Sequence, residues 1–362
     1  MTMWPLLIRL LRHPERVPEL TGQDWDRLIR AARRTNLLAR LAALLEAQGG
    51  LDRIPAGPRA ALRSALVLAR HHEVSVAREV EYLRRALAPA ALPLLVLKGT
   101  AYALARLPPA AGRLFSDVDI LVPKARLAQA EAALMLHGWA TTHRNAYDQR
   151  YYRRWMHELP PMQHIRRQTT VDVHHNILPE TARRTPDAAK LLAAAVPVPE
   201  HPQVRMLQPT DMVLHCATHL FHDSEFDHAL RDLVDFDALL GHFGAQPEFW
   251  PALAARAAEL GLARPLYYAL RYASALIGTE VPAPALEAAR QGEPNALVRR
   301  LMDKLMAHAL LPRTLDRADR RTLLARQALF LRAHWLRMPP HLLAYHLTVK
   351  ALRPALADGE AK

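Results

Sequence analysis

The sequence predicts an α+β protein in which a small mixed sheet is embedded in N- and C-terminal helical segments. Two observations carry that prediction. Apolar residues recur at three- and four-residue spacing through the first 90 residues and again from Thr210 onward, as on amphipathic helices. Between them lie short apolar runs stopped by glycine or proline, which read as strands. The 362 residues accordingly divide into a helical N-terminal segment (1–90), a mixed core (91–180) and a helical C-terminal domain (181–362), with no internal repeat or low-complexity tract.

The first segment reads as helices in DWDRLIRAARRTNLLARLAALLEAQ and PRAALRSALVLARHHEVSVAREVEYLRRALAPA, separated by the Pro- and Gly-containing GGLDRIPAGP. In the core, LPLLVLKGT is an apolar run ending at Gly99, AYALARL a short helix, and FSDVDILVP a second apolar run stopped by Pro123. KARLAQAEAALMLHGW is a helix closed by Gly138. Residues 139–178 carry strand-like material: WATTHRNAYD, then WMHELPPMQHIRRQTTVDVHHNI as two strands joined at RRQT. Four helices follow, beginning with TDMVLHCATHLFHD and HALRDLVDFDALLGHF and continuing through PEFWPALAARAAELGL and ARPLYYALRYASALIG.

Composition narrows the setting. Hydrophobic residues make up 51% of the chain, enough for a sizeable core, and the one cysteine, Cys216, excludes an internal disulfide and fits a reducing cytoplasm. The opening MTMWPLLIRLLRHPERVPEL has Arg9 and Arg12 interrupting its apolar stretch and no small-residue cleavage site, so no signal peptide is expected. No apolar run approaches the roughly 20 residues of a membrane span. The formal net charge of +13 admits a nucleic acid such as tRNA as a partner. However, the excess is mostly arginine interleaved with acidic residues, the pattern of ordinary solvated helix faces.

The chemistry concentrates in GRLFSDVDILVP. Residues two apart on a strand share a face, so Asp117 and Asp119 converge while Val118 turns into the core. Two converging carboxylates repel unless a cation compensates them, and a hard divalent ion such as magnesium prefers such oxygen ligands. Upstream, LLVLKGTAY runs from a strand through Lys98-Gly99-Thr100 into a helix, a turn whose backbone amides can face an anion, with Gly99 permitting close approach and Thr100 adding a hydroxyl. A phosphate-binding turn followed 18 residues later by a carboxylate pair suits phosphoryl or nucleotidyl transfer.

On these residues the chain resembles the polymerase-beta-type nucleotidyltransferase superfamily, whose signature is a strand, a Gly-containing turn, a helix and an acidic-x-acidic strand, with a third carboxylate on a later strand. The match is LKGT, SDVDILV and TTVDVHHNI. More narrowly it resembles a bacterial nucleotidyltransferase family with KG, R-x-x-S-D-x-D-x-L-V and [DE]-x-H motifs, here Lys98-Gly99, Arg113 through Val122, and Asp172 with His174. Thr100 departs from the Ser or Gly usual after the glycine in the broader superfamily.

The resemblance implies a nucleotidyltransferase-type sheet, an NTP donor and two magnesium ions held by Asp117, Asp119 and Asp172. It also implies an acceptor hydroxyl or phosphate on a small molecule, saccharide or peptide. Relatives include toxins that modify RNA ends and proteins that bind NTP without catalysis, and both remain alternatives.

Several residues carry two readings. Lys98 pairs with a donor phosphate or with Asp119, and Arg113 clamps a phosphate or anchors its loop. His174 contacts phosphate or is a hydrogen-bonded structural residue, and His175 is read as structural. His215 and His219 lie one helical turn apart, but without the glutamate of a metalloprotease motif they read as helix packing or acceptor pocket. Arg231, Asp232 and Asp235 either line the cleft facing the sheet or are helical surface charge, the default reading.

Overall fold

The computed structural model describes residues 3–142, 145–222, 226–310 and 319–357. His143, Arg144 and Asp223, which the sequence places in a strand and at a helix end, lie outside the described residues. Among the described residues one mixed sheet holds β1 (Leu94–Val96), β2 (Asp117–Leu121), β3 (Trp139–Thr141), β4 (Met162–His164), β5 (Thr170–His174), β6 (Val196–Val198) and β7 (His201–Met206). Their order is β3-β4-β5-β2-β1-β7-β6, so β2 is central, antiparallel to β1 and parallel to β5. Helices flank the sheet from both ends of the chain, as the sequence predicts.

β1 is a continuous apolar run and β2 is apolar apart from Asp117 and Asp119, because both faces of the sheet are covered there. Leu94, Leu95 and Val96 of β1 and Val118, Ile120 and Leu121 of β2 are all buried. Each such side chain contributes roughly 1.5–3 kcal/mol relative to exposure. The helix Ala56–Leu87 packs on Leu38–Ala47, on Leu127–Leu136 and on the short helix Lys98–Leu104 that follows β1. The helix Pro209–His222 leaves β7 and also packs against Lys98–Leu104, which brings the C-terminal helices to the same end of β1 and β2.

Three features depart from the sequence prediction. The sheet extends past residue 180: β7 lies parallel to β1, with Val204 opposite Leu94 and Met206 opposite Val96, and β6 forms the outer edge. The prolines of VPVPEHPQV mask these strands, and Pro197 is tolerated because an edge strand leaves amides unpaired anyway.

Residues 146–155 form a helix rather than strand-like material. Asn145 caps it, its side chain accepting from the amides of Tyr147 at 2.8 Å and Asp148 at 3.3 Å. Tyr147, Tyr151 and Trp155, aromatics that favour strands, instead meet at four-residue spacing on one helix face. Finally, the first periodic run is two helices, Gly22–Arg34 and Leu38–Ala47, broken where Asn36 adopts φ +54°.

One glycine fixes the approach to β2. Gly112, at φ +69°, lies so close to the helix Leu38–Ala47 that a Cβ there would stand 2.3 Å from the Ala39 carbonyl oxygen. Arg40 of that helix donates to the carbonyls of Pro108 and Ala111. The N-terminal helices thus grip the loop that delivers Arg113 and Asp117. No helix among the described residues is long and apolar enough to cross a membrane.

Candidate active site

The β2–β5 register assembles the acidic centre. Asp119 lies directly opposite Asp172, with Asp117 opposite Thr170, so the parallel pairing gathers the three predicted carboxylates while Val118, Val171 and Val173 enter the core. Neighbouring aspartates in the same register have different electrostatics. Burial works to raise the Asp119 pKa, but Lys98 Nζ at 2.8 Å and His174 Nε2 at 2.9 Å, both on Oδ1, outweigh it and hold the carboxyl well below its usual range. Among the described residues Asp172 has no such partners. Burial, with the Asp119 charge adding, pushes it up to about 7, and its Oδ1 is buried without a hydrogen bond. Asp117 is raised as well, by burial and then by Asp119, although the Ser116 hydroxyl donates to it at 2.9 Å.

Lys98 takes the salt-bridge reading. Its backbone sits at φ +47°, a left-handed conformation that costs a non-glycine residue about 1–2 kcal/mol. His174 is likewise committed within the protein: Nε2 faces Asp119 while Nδ1 is 3.1 Å from Glu158 Oε2. Burial disfavours its charged form, but Glu158 and Asp119 prevail and raise its pKa. His175 is buried beside the centre rather than part of it, its amide donating to the His157 carbonyl.

Two cavities meet at the carboxylates, and Lys98, Asp117 and His219 line both. The first, about 400 Å³, is lined by Gly99, Thr100, Arg113, Ser116, Asp119 and Arg231. Gly99 does not present bare backbone there: a Cβ on it would meet Arg113 Nε at 2.6 Å and the Phe115 ring at 3.2 Å. The glycine makes room for a guanidinium rather than directly for an anion. Arg113 is anchored by an ion pair with buried Asp235, which Arg40 also approaches at 3.5 Å. Thr100 is buried, its hydroxyl without a hydrogen bond among the described residues.

For 231–235 the cleft reading holds over the default of surface charge: Arg231 pairs with Asp232 at 2.7 Å facing the cavity, and Asp235 is buried. Their helix, Ala229–Phe243, packs on the helix Pro209–His222 and on residues 108–110, which turns Asp235 toward Arg113 and Arg40, a placement its sequence periodicity does not specify.

The second cavity, about 510 Å³, is lined by Asp172, His174, Glu158, Tyr151, Tyr152 and a group of histidines that includes His157, His215 and His222. Burial drives His157 and His215 well below the usual histidine range and His222 down to about 3, so these rings are neutral at physiological pH. His215 and His219 therefore belong to a cavity wall. Sequence reasoning missed His157 and Glu158. They precede Pro160-Pro161 with no spacing motif linking them to β5, and only the antiparallel bridge between Glu158 and His174 brings them in.

A central acidic strand beside a Gly-containing strand-to-helix turn, with a third carboxylate on the parallel neighbour, fits the nucleotidyltransferase type of sheet, and the protein is a transferase of that class. The chain belongs to the family described as "Uncharacterised nucleotidyltransferase", which matches residues 21–278. No curated protein and no solved structure matches it significantly.

Proposed function

We propose that the chain is a magnesium-dependent nucleotidyltransferase that moves a nucleoside monophosphate from an NTP to an acceptor hydroxyl or phosphate. The observation that carries this reading is the placement of Asp117, Asp119 and Asp172 at the junction of two cavities, one flanked by arginines and the other by neutral histidines and tyrosines.

The residues fit a divalent cation. Asp172 Oδ1 is an orphaned buried oxygen, and Asp117 and Asp172 both have raised pKa values because carboxylates are gathered there without enough compensating charge. Asp117 and Asp119 would hold magnesium on the donor side, with Asp172 sharing it toward the acceptor. Bound there, magnesium supplies neutralisation of phosphate charge and activation of the attacking oxygen.

The chain's own residues do the rest. Arg113 and Arg231, held by Asp235 and Asp232, orient the donor polyphosphate through charge-assisted hydrogen bonds. Lys98 holds Asp119 ionised, and its position on both cavities lets it face the transferred group. Asp172 lines the second cavity, where its carboxylate would take the acceptor's proton. The test is incubation of the full chain with labelled NTPs, magnesium and cell extract, followed by identification of the labelled species. Label in a small molecule, saccharide or peptide supports the proposal, whereas label at RNA ends redirects it to RNA modification. NTP binding without any transfer overturns it.

A further inference from the structure

The donor set beside the acidic centre differs in kind from the three aspartates. His157, Glu158 and His174 each offer one ligand atom, and the three atoms lie within 4.8 Å of one another. Two nitrogens and a carboxylate suit a transition ion such as zinc or manganese(II), whereas magnesium favours oxygen alone. We infer that His157, Glu158 and His174 form a separate transition-metal site on the wall of the second cavity, next to Asp172.

Three observations converge on it. His157 Nδ1 is buried without a hydrogen-bond partner among the described residues, in a position where a nitrogen lone pair otherwise goes unused. Glu158 Oε2 and His174 Nδ1 are 3.1 Å apart, close to the roughly 3.3 Å that separates two ligands bonded at about 2.0 Å to one tetrahedral ion. The ion would replace the proton they share, releasing it to solvent. Because the three atoms are within 4.8 Å, the His157 ligand atom has at most about 1.5 Å to move inward, within reach of a side-chain adjustment.

The third observation is the opposite edge of the His174 ring, where Nε2 meets Asp119 Oδ1 at 2.9 Å. Metal-binding histidines typically donate their second N–H to a carboxylate, which fixes the tautomer and strengthens the ligand. His174 would therefore join the two centres, one nitrogen on the transition ion and the other on an aspartate of the acidic centre. The backbone supports this placement: the Glu158–His174 bridge, the His175 amide on the His157 carbonyl at 2.7 Å and the Leu159 amide on the Val173 carbonyl at 2.9 Å tie residues 157–159 to the end of β5.

Binding measures this directly, without reliance on nucleotidyl transfer. Tag-free full-length chain is dialysed against micromolar zinc or manganese(II) with millimolar magnesium present, and bound metal is quantified. One ion per chain is expected, with cobalt(II) substitution giving a visible ligand-field spectrum. His157→Ala and Glu158→Gln should each weaken binding at least tenfold, and Asp119→Asn by about 10- to 100-fold through loss of the orienting hydrogen bond. Asp117→Asn and His222→Ala should bind as the wild type does. Absence of a stoichiometric ion overturns the assignment, as does full retention in folded His157→Ala and Glu158→Gln, or loss confined to His222→Ala.

Discussion

The two cavities that meet at the carboxylates are close in volume and opposite in character. On the first, positive charge is fixed in place: Arg113 is held by the buried Asp235 and Arg231 by the half-buried Asp232, and Gly99 is small so that one guanidinium can lie over it. On the second, His157, His215 and His222 stay neutral because burial removes their protons. Fixed cations suit a polyphosphate whose charge changes little on binding, and a neutral polar wall suits an acceptor that must lose a proton and gain a phosphoryl bond. The difference supports the proposed division of donor and acceptor between the two cavities, with Asp117, which lines both, and Asp119 and Asp172 at their boundary.

The largest effects should come from that boundary. Asp117→Asn should lower NTP-dependent turnover by on the order of 10³-fold with the melting temperature little changed, since it removes a like-charge repulsion. Wild-type turnover in single-turnover kinetics would remove Asp117 from the centre. Asp172→Asn should keep most magnesium-NTP affinity yet lose on the order of 10²-fold in turnover.

Asp172 also predicts a pH signature. Its folded pKa of about 7 lies above the ordinary value of 3.8, so its contribution to stability is full at acidic pH and is lost as pH rises through about 7. Asp172→Asn should therefore gain stability relative to wild type at pH 8 but not at pH 4, read from paired thermal melts of the metal-free chain. An equal shift at both values would show that the carboxyl is not titrating as described.

Smaller effects should distinguish the flanks. Arg231→Gln should raise KM for the NTP about tenfold while leaving the acceptor KM alone, the loss expected for one charge-assisted hydrogen bond. If both constants rise together, the two cavities are not separate sites. Gly99→Ala should displace Arg113 and reduce NTP-induced thermal stabilisation several-fold, whereas unchanged stabilisation in a folded variant would mean that Arg113 does not face the donor. The smallest change is expected for His222→Gln, which should alter acceptor KM only slightly and equally at pH 6 and pH 8, because a group pushed down to about 3 does not titrate in that range.

What the sequence determined by itself was local. Period-two spacing put Asp117 and Asp119 on one face, apolar alternation put Asp172 on the face opposite Val171 and Val173, and the strand–Gly–helix pattern located Lys98-Gly99-Thr100. These depend only on backbone geometry within a few residues. The tertiary structure decided what lies across space. The β2–β5 register set Asp119 against Asp172. Packing of the helix Ala229–Phe243 turned Arg231, Asp232 and Asp235 inward, where periodicity alone left surface charge as the default. The choice between phosphate ligand and salt bridge for Lys98, and between clamp and anchor for Arg113, was open because a side chain's partner is fixed by residues 21 and 122 positions away. Glu158 and His157 had no signal at all, since one antiparallel bridge, closed only when the chain folds, brings them to His174. Short-range spacing constrains the face a residue occupies, and long-range register alone decides what it meets there.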